Sequence, residues 1–152
     1  MPLLETKSFG RISYEMGAAI EFPQGLPGFE SRRRFVAIEF ADTAPLVFLQ
    51  STEEPGLCFI TLPVLVVDPD YRLEMPAEDL EMAGLAPDRK PRLGEDVICL
   101  AVLSLRETGP TANLLAPVVV NLHNRKAVQS VSTVTGYSHQ HAIVAEEAAV
   151  CS

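Results

Sequence analysis

Short apolar runs separated by Gly, Pro and polar clusters make up this chain, and inside the runs apolar positions alternate rather than recur every third or fourth residue. Val36, Ile38 and Phe40 form one such series, and Cys58, Ile60 and Leu62 another, which predicts half-buried strands over residues 35–40 and 57–62. Residues 46–49 and 97–103 are apolar on both faces and read as interior strands, the second at the centre of the core, although periodicity alone does not separate them from a buried helix. Residues 118–123 and 127–134 read as strands joined by a hairpin at Asn124-Arg125-Lys126. Gly10 divides residues 6–9 from 11–14, as two short strands or one bulged strand.

Helix is scarce in this pattern. Pro76 stands at a helix start, Glu78, Asp79 and Glu81 crowd its positive end, and Gly84 follows the last turn, so a two-turn helix is expected over residues 76–83. A further short turn is expected over residues 30–34, and residues 145–149 form a frayed helix or stay disordered. The fold class is therefore all-β: a small antiparallel, barrel-like single domain over residues 1–143 with one or two short helices, followed by a tail over residues 144–152.

Composition narrows the function. At 152 residues the chain is long enough to complete a core without disulfides or a structural metal. Its longest nearly uncharged apolar stretch, residues 57–67, is broken by Thr61 and Pro63, far short of the roughly 20 residues that cross a bilayer. No basic, apolar leader opens the sequence, and Cys58, Cys99 and Cys151 are odd in number with no CxxC spacing, so a reducing cytoplasm is the expected location. Cys58 and Cys99 fall inside apolar strands and read as packing residues.

The net charge of −8 argues against general binding to phosphate backbones. Its distribution is uneven: residues 39–88 carry Arg72 as their one basic side chain against eleven acidic ones, while the flanking segments are each close to neutral. That block is either a solvated face or a docking surface for a basic partner.

Motifs of catalysis are missing: there is no nucleophile elbow, Walker A loop, HExxH helix or GxGxxG turn. His139 and His141 would share a strand face and, with His123, offer three imidazoles. No acid or cysteine stands at ligand spacing beside them, so they read as surface histidines, and no metal, cofactor or catalytic residue is assigned. Asp68 and Asp70 lie in a turn-like segment rather than in an apolar pocket that would raise a carboxyl pKa.

The densest local signal is Phe22-Pro23-Gln24-Gly25-Leu26-Pro27-Gly28-Phe29. The prolines fix φ, the glycines permit φ > 0, and Phe22, Leu26 and Phe29 offer apolar anchors. Such a loop either pins the chain to its core or presents a rigid apolar surface to a protein partner.

In chain order, this loop, Leu49-Gln50-Ser51, Asp68-Pro69-Asp70-Tyr71, Glu78-Asp79-Leu80, residues 113–121 (NLLAPVVVN) and residues 124–129 (NRKAVQ) resemble the FliW flagellar assembly factors, from about Glu5 to Ile143. The resemblance implies a small, barrel-like cytoplasmic bacterial protein without known catalytic activity, monomeric alone, contacting neither nucleic acid nor membrane. It also implies two partners: the translational repressor CsrA, whose RNA binding is antagonised, and flagellin, which competes for the factor. The acidic block fits that mechanism, because it attracts the cationic surface of a repressor and repels RNA.

The residues expected to shape the interaction surface are Phe22, Pro23, Leu26, Pro27, Phe29, Tyr71, Glu78, Asp79, Asn113, Asn121 and Arg125. Asn113 and Asn121 have an alternative role in satisfying turn backbone groups. Two departures stand out: Ala142 occupies the place of a proline common in such proteins, and Arg32-Arg33-Arg34 is unusually basic. Competing readings are a flagellin-specific chaperone that does not touch the repressor and a small metal-dependent hydrolase using His123, His139 and His141.

Overall fold

A computed structural model describes residues 3–7, 9–13, 18–26, 28–134 and 136–143. The tail over residues 144–152, Cys151 and the suggested helix at 145–149 lie outside the described residues. The strands are β1 (Leu3–Thr6), β2 (Gly10–Ser13), β3 (Ala19–Glu21), β4 (Arg34–Ile38), β5 (Val47–Ser51), β6 (Cys58–Pro63), β7 (Val97–Arg106), β8 (Gly109–Ala112), β9 (Val118–Asn121), β10 (Ala127–Gln129) and β11 (His141–Ala142). Among the described residues two short α-helices, α1 (Val64–Val67) and α2 (Ala77–Met82), and a 3-10 turn at Ala41–Thr43 interrupt them.

β1 and β2 pair as a separate hairpin, in which Gly10 opens β2 opposite Thr6. The other nine strands form one sheet in the order β10-β9-β7-β6-β5-β4-β3, with β8 on β7 and β11 on β8. Every ladder in it is antiparallel. The ten-residue β7 is the axis of the fold: it pairs with β6 through Leu100, Ala101 and Val102, with β9 through Val97 to Leu100, and with β8 through Leu103 to Arg106.

The sheet curls until its end strands nearly meet. Among the described residues their backbone contact is a single parallel bridge, Glu21 to Lys126, in which the Glu21 N–H donates to the Arg125 carbonyl at 2.9 Å. The expected barrel-like sheet is therefore present, with an open seam between β3 and β10.

Side-chain alternation sorts the core into two clusters. Ile20, Phe22, Phe35, Leu49, Leu100, Val118 and Val120 come from strands all around the sheet, or from its loops, and fill the inside. Val97, Cys99, Ala101 and Val119 point the other way, where α1, Tyr71, Leu73 and Ala83 at the end of α2 cover them. That second layer is why β7 and β9 are apolar on both faces, and why all four residues of β9 are buried.

Three details differ from the sequence pattern. The strand expected over residues 127–134 ends at Gln129, because β9, its partner, offers only Val118 to Val120 to pair with it. The strand at 35–40 ends at Ile38 and turns Phe35 fully inward, while Phe40 is 40% exposed and rests on Phe9 and Phe48. Residues 64–67, an apolar run rich in valine, form α1: Val64 and Val67 seal the outer cluster and Leu65 and Val66 face solvent. Among the described residues no helix is long and apolar enough to cross a membrane.

Candidate functional site

The loop at 22–29 is held from within. The Phe22 N–H donates to the Arg33 carbonyl at 2.7 Å, extending the β3–β4 ladder by one residue, and the Phe22 ring meets Phe35 edge to face at 5.4 Å. Gly25 donates to the Phe22 carbonyl and Phe29 to the Leu26 carbonyl, closing two successive turns. Gly25 has φ +71°, and a β-carbon there would lie 2.5 Å from Glu30 Cα, so neither its dihedral nor its space admits a side chain. Phe22 and Leu26 are thus core residues, whereas Pro23 is half-buried and Phe29, set edge to face on Phe59, is 39% exposed. Pro27 lies outside the described residues.

α2 begins at Ala77, so Pro76 flanks the helix instead of opening it, and its carbonyl accepts from Leu80 N–H. The helix ends as a Schellman motif: Leu85 N–H donates to the Leu80 carbonyl, Gly84 N–H to the Glu81 carbonyl, and Gly84 takes φ +72°. Asn121 Nδ2 and Asn124 Nδ2 both donate to the Ala83 carbonyl, at 2.9 and 3.2 Å, so the β9–β10 turn clamps the helix end. Asn121 is nearly fully buried and also accepts from the His123 N–H. At the other end of α2, Asp79 Oδ2 accepts from Ser130 Oγ at 2.8 Å. Glu78 and Glu81 remain exposed.

The loop and the helix meet. Gln24, Gly25 and Glu30 line a groove of ≈ 280 Å³ whose other wall is Asp79, Met82 and β10. Arg125 lies farther along the seam, at φ 60°, accepting from Glu21 N–H through its carbonyl. Asn121 sits behind α2.

Tyr71 and Asn113 belong to a different region. Tyr71 Oη donates to the Leu114 carbonyl at 2.7 Å, its ring stacks on Tyr137 at 4.4 Å, and Tyr137 Oη accepts from the Arg72 N–H. Burial pushes the Tyr71 hydroxyl pKa up, with the Cys99 thiol and Tyr137 adding to it. Asn113 Oδ1 accepts from Ala116 N–H, closing a turn. These contacts tie the Asp68–Tyr71 turn to the segment before β9.

The family model that describes the FliW protein matches residues 3–143. The chain belongs to the FliW family. It is 31% identical over 148 residues to a flagellar assembly factor FliW from Geobacillus sp. (strain WCH70), covering 96% of this chain and 98% of that one. A relative of the same description from Heliobacterium modesticaldum is 32% identical over 138 residues, covering 91% and 88%. A crystal structure of the flagellar assembly factor FliW superposes with a TM-score of 0.82 at 30% identity, covering 95% of this chain and 99% of the other. These relatives are all described as flagellar assembly factors.

In this FliW-family chain the acidic block does not form one continuous carboxylate face. Glu53 accepts from the N–H groups of Arg33 and Arg34, which pull its pKa down, and Glu54 pairs with Arg32 at 3.7 Å. Glu74 holds Lys90 at 2.6 Å and Arg72 at 3.6 Å; the Lys90 hydrogen bond is the main cause of its lowered pKa. Asp68 accepts from Asp70 N–H. Glu78 and Glu81 on α2 have no hydrogen bond or ion pair through their carboxylates among the described residues, so the free acidity nearest the loop is on that helix.

The histidines separate: His123 stands 4.0 Å from Asp96, and His141 is on the edge strand β11. Among the described residues no group of three or more His, Cys, Asp or Glu side chains is placed to hold a metal ion. Burial raises the pKa of Cys58 and Cys99. Sequence reasoning missed Glu30, Met82 and Gln129 as walls of the loop–helix groove. Their signal was weak, because the groove joins segments some 50 residues apart in the chain.

Proposed function

We propose that this chain acts in flagellar assembly as a partner switch: it binds a CsrA-type translational repressor, keeping it from mRNA, and yields to flagellin as a competing partner. Membership of the FliW family across residues 3–143 carries this reading. The exposed acids Glu78 and Glu81 support it, since they sit beside the groove that the loop at 22–29 shares with Asp79. A basic repressor surface is drawn to such a helix, and RNA phosphates are repelled by it.

Within this reading Pro23, Phe29, Glu78, Asp79 and Arg125 form the contact surface, and Phe22, Leu26, Tyr71, Asn113 and Asn121 set its shape from beneath. Pro27 belongs to the same proposed loop. The protein works in the cytoplasm, alone as a monomer and without a cofactor. Calorimetric titration of the purified chain with the repressor and with flagellin tests the proposal; micromolar binding of both, with one displacing the other, is the expected result. Binding of neither refutes it. Binding of flagellin alone, with reporter translation unchanged at fixed flagellin level, leaves a flagellin chaperone in its place.

A further inference from the structure

The seam holds a second groove on the other side of the Glu21–Lys126 bridge, and its chemistry is opposite to that of the loop–helix groove. It has a volume of ≈ 380 Å³ and is lined by Arg34 from β4, Arg125 and Lys126 from the β9–β10 turn, Glu21 from β3, and Thr52. Three cations from two distant segments line it with one carboxylate, Glu21, while Glu53 lies behind Arg34 and feels its charge, on a chain whose net charge is −8. The side chains of Arg34, Arg125 and Lys126 are exposed, and none makes an ion pair among the described residues. The neighbours of Arg34 in the basic triplet behave differently: Arg32 pairs with Glu54, and Arg33 Nε donates to the Glu30 carbonyl.

Arg125 adds a second observation. It is the non-glycine residue with positive φ among the described residues, at 60°, a conformation that costs an L side chain about 1 kcal/mol and that glycine adopts freely. The turn tolerates that strain while directing a cation to the groove. The floor is also suited to a chain rather than to a point ion: β3 pairs with β4 on one side, and its other edge meets the rest of the sheet only through the Glu21–Arg125 hydrogen bond among the described residues.

We infer that this groove docks an acidic, extended segment of a protein partner, laid along the β3 edge with its carboxylates on Arg34, Arg125 and Lys126. A peptide is favoured over a nucleic acid because three cations would offset few phosphates, while the remaining charge of the molecule repels a polyanion. The inference does not rest on the repressor reading: it shares Arg125 with the contact surface proposed above, but uses none of the acids of α2 that carry that reading.

The test uses the full chain and three fluorescent probes at low ionic strength: a peptide of alternating Glu and Val, the same peptide with Lys in place of Glu, and a short oligouridylate. Anisotropy is expected to show binding of the Glu peptide in preference to both others, weakening as salt rises. R34Q, R125G and K126Q should each weaken it about threefold, and the triple variant about thirtyfold. Gly suits the backbone at position 125, so R125G keeps a melting temperature at or above that of the parent chain, and its loss of binding is not loss of fold. Reversal of Glu78 and Glu81 should leave the Glu peptide bound, which separates this site from the repressor surface. The inference is overturned if the Glu peptide fails to bind at millimolar concentration, if the Lys peptide or the oligouridylate binds as tightly, or if the triple variant binds as the parent does.

Discussion

Gly25 and Gly28 lie three residues apart in one loop, both with positive φ, and the structure gives them different consequences on substitution. At Gly28, φ is +85° and an added β-carbon meets nothing within 4 Å, so Gly28→Ala carries only the left-handed backbone cost of about 1 kcal/mol. At Gly25, φ is +71° and the β-carbon falls 2.5 Å from Glu30 Cα, 2.6 Å from Glu30 O and 2.8 Å from Glu30 C. These are backbone atoms, which cannot swing aside as the end of a flexible side chain would. Gly25→Ala therefore adds an overpacking cost of about 2 kcal/mol to the dihedral one, for a total of about 3 kcal/mol. With an m value of about 2 kcal/mol/M, the urea midpoint should fall by about 1.5 M for Gly25→Ala and about 0.5 M for Gly28→Ala. Because Glu30 also lines the groove shared with Asp79, Gly25→Ala should impair partner binding under conditions where the chain remains folded, and Gly28→Ala should not. Equal midpoint shifts for the two variants would refute the steric argument.

Three further outcomes are expected. Tyr71→Phe keeps the stack on Tyr137 but leaves the Leu114 carbonyl without its 2.7 Å donor, and should lower stability by about 1.5 kcal/mol in urea titrations; an unchanged midpoint would show that carbonyl to be satisfied otherwise. Asp96 accepts from the Arg92 N–H at 2.8 Å, and this bond, with Arg89 and Arg92 nearby, holds its pKa below the ordinary value. It contributes stability above its unfolded pKa of about 3.9 and loses it as pH falls through the lower folded value. Asp96→Asn should flatten the fall in stability below about pH 4, whereas an acid limb as steep as the parent's would remove Asp96 as its source. Reversing Glu78 and Glu81 to lysine should slow association with a CsrA-type repressor more than it speeds dissociation, measured by stopped flow at low salt; an unchanged on-rate would place the attraction elsewhere.

The strands were legible where a face pattern was complete. β7 could be read as buried on both sides because both its sides are covered, by the barrel interior and by the layer over α1 and α2, whereas β9, read only as a hairpin strand, is buried in the same way. The turn at 124–126 and the end of α2 at Gly84 were legible because Asn and Gly carry specific backbone chemistry. α1 was not, because valine favours strands and only the outer cluster, formed by residues distant in sequence, rewards burying Val64 and Val67 in a helix. Charge was the least legible property. The sequence places eleven acids together, and the fold then sends Glu53 to cap the start of β4, Glu74 to Lys90 and Asp79 to Ser130. It also assembles Arg34 with Arg125 and Lys126, which closure of a sheet between its first and last strands brings together and no local pattern announces.

The residues that make the sequence recognisable are mostly those withdrawn from any partner's reach. Phe22, Leu26, Tyr71 and Asn121 are almost wholly removed from solvent, and each fixes backbone: Phe22 the β3–β4 ladder, Leu26 the turn before Phe29, Tyr71 the Leu114 carbonyl, and Asn121 the end of α2. Their common effect is to hold a sheet whose seam, among the described residues, is closed by one bridge. A sealed barrel would have removed both edges from solvent; this one leaves a groove on each side of the bridge, with Glu30 and Asp79 along one and Arg34, Arg125 and Lys126 along the other.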